Sequence, residues 1–168
     1  MNGQRPPSEP GCTWAEDCIE TCTGPSVHLR EQGVGATFVN RRRSHIRKIH
    51  YDHCYFRGRG RRADYIVGLP DVVDVIVELE GSDTNLKDAA QQVEATLDAW
   101  EQDTKSARKI ACLIVYGRIE GKKKLPGRVP RLEAVASGLR ADFLNRRRSL
   151  LRIHENGKRK FTFRDFLG

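Results

Sequence analysis

Three carboxylates lie where they could do chemistry together. Asp64 opens a short apolar run, Asp64-Tyr-Ile-Val67, and Glu78 and Glu80 close the next one, Val75-Ile-Val-Glu78-Leu-Glu80-Gly81. Strand side chains alternate between faces, so Asp74, Ile76, Glu78 and Glu80 share one face and Val73, Val75, Val77 and Leu79 share the other. The wholly apolar second face belongs in a core, which sets the acids at the working rim of a buried sheet. Phosphodiester hydrolysis needs an activated water and neutralisation of the developing negative charge, and Mg²⁺ or Mn²⁺ can serve both needs. Mg²⁺ takes oxygen ligands, usually one or two carboxylates, several waters and a substrate phosphate. Asp64 and Glu78 suit that role, and Glu80 could take a third ligand position or hold the nucleophilic water. Gln92, on the segment that follows, could position water or phosphate, and Glu31 is an acid that could join from upstream. The competing reading is a row of solvated acids.

The elements that must position these groups are legible from periodicity. The segments 36–40, 45–51 and 63–67 read as strands, and Gly68-Leu-Pro-Asp71 reads as a hairpin turn leading into a strand over 72–80. Ser82, Asp83 or Thr84 could cap the next helix, which carries Leu86, Ala89, Ala90, Val93, Leu97 and Trp100 on one face at helical spacing. The run 109–116 is a buried strand, so strand, helix and strand suggest a right-handed crossover between parallel neighbours. A second helix is expected over 131–145 and a terminal hairpin of 150–154 with 159–163 around Asn156-Gly157. Residues 1–12 look like a disordered tail, 13–168 a single domain, and Trp14, Cys18 and Cys22 stand at the four-residue spacing of a short helix. The whole predicts an α/β fold with a mixed central sheet flanked by helices.

Charge is arranged in blocks. The chain of 168 residues carries a net charge of +8 and a sequence pI near 9.5, which makes nucleic acid the leading partner class. From Arg41 to Arg62 there are nine Lys or Arg against one acid, and from Arg140 to Arg164 nine against two. Between them, from Asp64 to Asp103, eleven acids stand against Lys87 alone. Basic flanks can hold phosphates while an acidic centre holds a cation. The candidate phosphate contacts are Arg41, Arg42, Arg43, Arg61, Arg62, Lys122, Lys123, Lys124, Arg146, Arg147 and Arg148. Clusters of this kind position a duplex and do not read its sequence.

Five cysteines at irregular spacing argue against a disulfide framework. Cys12, Cys18, Cys22, His28, His53 and Cys54 lack the paired spacing of common zinc sites, and Cys54 and Cys112 read as small core residues. No apolar run approaches the ~20 residues of a membrane helix, and residues 1–10 lack the apolar segment of a secretory signal. These features predict a cytoplasmic protein without membrane contact.

Asp64, Glu78-Leu-Glu80-Gly81 and Gln92 resemble the motif of the PD-(D/E)XK nuclease superfamily, the restriction-endonuclease-like fold. That motif places Asp on one strand, Asp/Glu-x-Lys on its hairpin partner, and a helix after it. Arg62-Ala-Asp64, Glu78-Leu-Glu-Gly-Ser-Asp83 and Ala89-Ala-Gln-Gln92 are similar to small bacterial members with a Glu-Leu-Lys-Gly motif, over about residues 45–116. The resemblance implies a Mg²⁺- or Mn²⁺-dependent deoxyribonuclease, acting on double-stranded DNA as a homodimer if it cuts both strands. Glu80 falls where the family has Lys. Glu80 could bind metal or water instead, Lys87 could supply the charge from the helix, or the protein could be an inactive nuclease-fold module that binds nucleic acid or protein, of accessory or immunity type.

Overall fold

The computed structural model describes residues 5–104, 108–117 and 128–168. Among the described residues nine strands and two long helices follow one another as β1 (Cys12–Glu16), β2 (Ile19–Cys22), β3 (Ser26–Glu31), β4 (Val34–Val39), β5 (Ile46–His50), β6 (Tyr65–Leu69), β7 (Val73–Glu80), α1 (Leu86–Thr104), β8 (Lys109–Tyr116), α2 (Arg128–Asp142) and β9 (Leu151–Glu155). Seven strands form a mixed sheet in the order β1-β2-β5-β6-β7-β8-β9, and β3 and β4 form a separate hairpin. Pairing is antiparallel from β1 to β7 and parallel from β7 through β9. The expected strand–helix–strand unit is present, with β7 and β8 parallel across α1.

Two apolar layers sandwich the sheet. Val73, Val75, Val77 and Leu79 face the β3–β4 hairpin and Phe161, Phe163 and Phe166. Ile76 faces the other way, onto Leu86, Val93, Leu97 and Trp100 of α1. Each fully buried side chain of this size contributes about 1.5–3 kcal/mol. Strand β7 is therefore covered on both faces. The acids expected at an open rim lie under α1, with Asp74 1% and Glu78 2% exposed.

Several expected elements form differently. The segment from Trp14 to Cys22 is no helix but the hairpin of β1 and β2, in which Cys12 pairs with Cys22. The spacing of Trp14, Cys18 and Cys22 coincides with a helical period, but the turn between the strands takes Cys18 to a φ of 65°. Disulfides join Cys12 to Cys22 and Cys18 to Cys54, and the fifth cysteine, Cys112, is buried and free. The odd count thus reflects two bridges and one core thiol: the expectation of no disulfide framework is overturned, and Cys54 is bridged while Cys112 is the expected core residue. Asn156-Gly157 does turn the chain, with Gly157 at a φ of 78°, but no terminal hairpin results. The segment after it runs to β4, where Phe161 bridges Phe38, because its phenylalanines bury against that ring. Of the expected tail, Pro6 accepts a hydrogen bond from the Trp14 indole at 3.1 Å. Among the described residues no helix is long and apolar enough to cross a membrane.

Candidate metal centre

Asp64 immediately precedes β6, and Glu78 lies near the end of β7. The ladder between these strands pairs Tyr65 with Val77, so the next step of the antiparallel register sets Asp64 across from Glu78 on one face. Asp64 Oδ2 accepts the Leu79 backbone N–H at 2.9 Å, and the Glu78 carboxyl is hydrogen-bonded by the Asp64 backbone N–H. Asp64 is 8% exposed. Glu78 Oε2 is buried and has no hydrogen-bond partner among the described residues, an arrangement that costs about 1–3 kcal/mol. Burial pushes the Glu78 carboxyl up to about 9; the charges of Asp64 and Glu80 push the same way and Arg61 opposes them. Burial likewise pushes Asp64 up to about 6, against its hydrogen bond from Leu79 and with the charge of Glu31.

Two further groups reach Asp64 from elsewhere. Glu31 ends β3, and His53 sits on one wide helical turn, Tyr51–Tyr55. His53 Nε2 lies 3.7 Å from Glu31 Oε1 and 3.9 Å from Asp64 Oδ1. The three ligand atoms all fall within 4.8 Å of one another. The wide turn is fastened on several sides. Tyr51 N–H donates to the Asp64 carbonyl and His50 N–H to the Cys18 carbonyl, both at 2.9 Å. Asp52 Oδ1 accepts the Arg62 N–H at 2.9 Å, and Cys54 is bridged to Cys18. Helix α1 fixes the segment before Asp64 through Thr96, whose hydroxyl accepts the Ala63 N–H and donates to the Gln92 carbonyl, each at 2.8 Å. Nothing in the spacing of His53 or Thr96 signals these roles. Glu31 alone had a sequence-level hint, as an upstream acid.

The other expected groups are placed as follows. Glu80 is half-buried at the end of β7; its Oε1 accepts the Ser82 N–H at 3.2 Å, and its charge acts on Glu78. Gln92 is buried on α1, one turn before Thr96. Lys87 lines a cleft with Arg131 and Leu132 of α2. Of the basic residues, Arg61 is exposed at the site and acts on Glu78. The Arg62 guanidinium lies 4.4 Å from the centre of the Phe56 ring. Arg41, Arg42 and Arg43 follow β4 and precede β5; Arg41 and Arg42 line a cleft with Leu69 and Val72, at the end of the sheet away from Glu78. Arg147 and Arg148 line another at that far end with Arg108 and Lys109. Arg146 pairs with Glu94 and Asp142, both at 2.7 Å, and Arg147 with Asp98 at 2.5 Å. Those two arginines fasten the chain after α2 to the acids of α1. Lys122, Lys123 and Lys124 lie outside the described residues.

No family model, no curated protein and no solved structure matches the chain. The chemical reading of the site therefore rests on its donors. Asp64 and Glu78 present oxygens at one sheet end, one of them orphaned, with a third carboxylate and an imidazole at Asp64. A divalent cation fits such a set: it supplies the charge that the buried carboxylates lack.

Proposed function

We propose that this protein is a metal-dependent nuclease that hydrolyses phosphodiester bonds, DNA being the favoured substrate, with Asp64 and Glu78 holding a divalent cation. The observation that carries the reading is the orphaned, buried Glu78 Oε2 directly across the ladder from Asp64. A carboxylate so placed is expensive unless protonated or neutralised. The hairpin β6–β7 followed by α1 has the order of elements that the motif resemblance to restriction-endonuclease-like proteins implies. When bound, the cation would stabilise negative charge developing on the scissile phosphate. Glu80, two residues beyond Glu78 on the same face, orients the attacking water. Arg61, at the lip of the site, and the basic loop from Arg57 to Arg62 take phosphate oxygens, as point and bidentate contacts. One site per chain makes a homodimer the economical way to cut both strands. Paired cysteines suit an oxidising compartment better than the cytoplasm.

The test is nicking of supercoiled plasmid by the purified chain with Mg²⁺, with Mn²⁺ and with EDTA. Cleavage should need the metal and vanish in Glu78→Ala, while DNA binding by that variant persists because no phosphate contact is removed. Glu80→Lys, which restores the superfamily's residue, should retain or raise activity. One observation favours a second reading: Glu80 replaces the family's Lys and turns back to the Ser82 N–H. An inert binding module would show no cleavage in wild type under any of the three conditions.

A further inference from the structure

Mg²⁺ is not the ion that the surroundings of Asp64 suit best. Glu31 Oε1 and Asp64 Oδ1 both stand within 4 Å of His53 Nε2. Donors about 2.1 Å from a common ion stand roughly 3–4 Å apart, so small side-chain adjustments would bring all three into one coordination sphere. Imidazole nitrogen is a ligand for Mn²⁺, Zn²⁺ and their first-row neighbours, whereas Mg²⁺ is served by oxygen. The other imidazole nitrogen, Nδ1, is 3.9 Å from Asp52 Oδ2; a carboxylate on that side commonly orients a metal-bound histidine. A group of acids alone would not make a site. Here Glu78, across the ladder from Asp64, is a second observation: it is 2% exposed, and among the described residues its Oε2 has no hydrogen-bond partner and no cation in contact.

The backbone that carries His53 is also tethered on both sides. Its neighbour Cys54 is bridged to Cys18 on the turn before β2, and Tyr51 is bonded to Asp64 itself. The imidazole itself is 63% exposed.

Resting on the proposal of a cation at Asp64 and Glu78, we infer that Glu31 and His53 complete a mixed oxygen and nitrogen site selective for a first-row transition ion over Mg²⁺. Titration calorimetry on the full, oxidised chain with Mn²⁺ alone and with Mg²⁺ alone tests this. Wild type should bind Mn²⁺ at least tenfold more tightly than Mg²⁺. His53→Ala, at an exposed position, should remove most of that preference while barely changing Mg²⁺ affinity, and Glu31→Gln should weaken both ions. Equal affinities in wild type, or a preference unchanged in a folded His53→Ala protein, would overturn the inference. The nuclease proposal fails separately. Selective, His53-dependent Mn²⁺ binding without plasmid cleavage would refute the activity and leave the site standing. Cleavage with no His53-dependent selectivity would do the reverse.

Discussion

Asp74 and Glu78 lie four residues apart on one strand and one face, both almost completely buried, and the protein treats them in opposite ways. Asp74 Oδ2 accepts the Trp100 indole N–H at 3.0 Å, and Arg108 stands 3.7 Å from Oδ1. Room for that carboxylate is made by Gly68, where a Cβ would come within 2.5 Å of Asp74 Oδ1. Glu78 has neither a cation in contact nor a donor for Oε2, and its neighbours are more acids. Each carboxylate keeps one oxygen without a hydrogen bond among the described residues, Asp74 Oδ1 and Glu78 Oε2, but the fold sets a guanidinium 3.7 Å from the first and no cation as near the second. Structural burial alone explains the first. The second makes sense when something external with positive charge completes the site.

The ends also differ in how they are held. The Asp74 end is fixed by packing of α1. The Asp64 end depends on a turn tethered by the Cys18–Cys54 bridge, which spans 36 residues. Replacing both cysteines, Cys18→Ser with Cys54→Ser, should cost about 3–4 kcal/mol, from chain entropy returned to the unfolded state. It should also lower Mn²⁺ affinity about tenfold. Urea unfolding reads the first effect and calorimetry the second; loss of stability with intact Mn²⁺ affinity would show that the bridge does not position His53.

The isosteric pair Asp74→Asn and Glu78→Gln should move stability in opposite directions. Asp74→Asn removes the charge from a buried carboxylate that pairs with Arg108 and should destabilise by about 2 kcal/mol. Glu78→Gln replaces a carboxyl that the native protein must hold protonated at pH 8, where the unfolded chain ionises it, and should stabilise the metal-free protein by about 1 kcal/mol or more. Destabilisation in both, measured in EDTA, would erase the contrast.

The pH dependence sharpens the same point. The native protein holds the Glu78 proton up to about 9 where an ordinary glutamate releases it near 4.5, and Asp64 holds its own up to about 6 against 3.8. Between those values the unfolded chain binds fewer protons than the native one, so metal-free stability should fall as pH rises from roughly 4 to 9. The slope should flatten above pH 6 in Glu78→Gln, and a profile rising with pH over that window would contradict the assignment. Smallest of all, Arg146→Ala with Arg147→Ala should cost about 1 kcal/mol by loosening the chain after α2 from α1. Their effect on DNA binding should be slight, since both are engaged with α1 carboxylates.

The strands β5 to β8 and α1 were legible because each follows a single period bounded by turn residues, and Val73–Glu80 and Leu86–Trp100 show it plainly. The opposition of Asp64 and Glu78 was legible for the same reason, since Gly68-Leu-Pro-Asp71 sets the hairpin register. The first strands were not. Trp14, Cys18 and Cys22 mimic a helical face, and the preference for a hairpin comes from cross-links and partners remote in sequence. His53 was hidden for a related reason: it approaches Asp64 only because Cys54 pairs with Cys18, and cysteine pairing cannot be read from spacing. The run Arg159–Phe163 misled because Asn-Gly signals a turn but not which strand receives the returning chain.

The most direct measurement is anomalous X-ray diffraction near the manganese absorption edge, on crystals of the full chain grown with Mn²⁺. A peak should appear between Asp64 and Glu78, with His53 Nε2 and Glu31 turned toward it, and none should appear at Asp74. A well-ordered Glu78 with no manganese near it, at saturating Mn²⁺, would contradict the existence of the site.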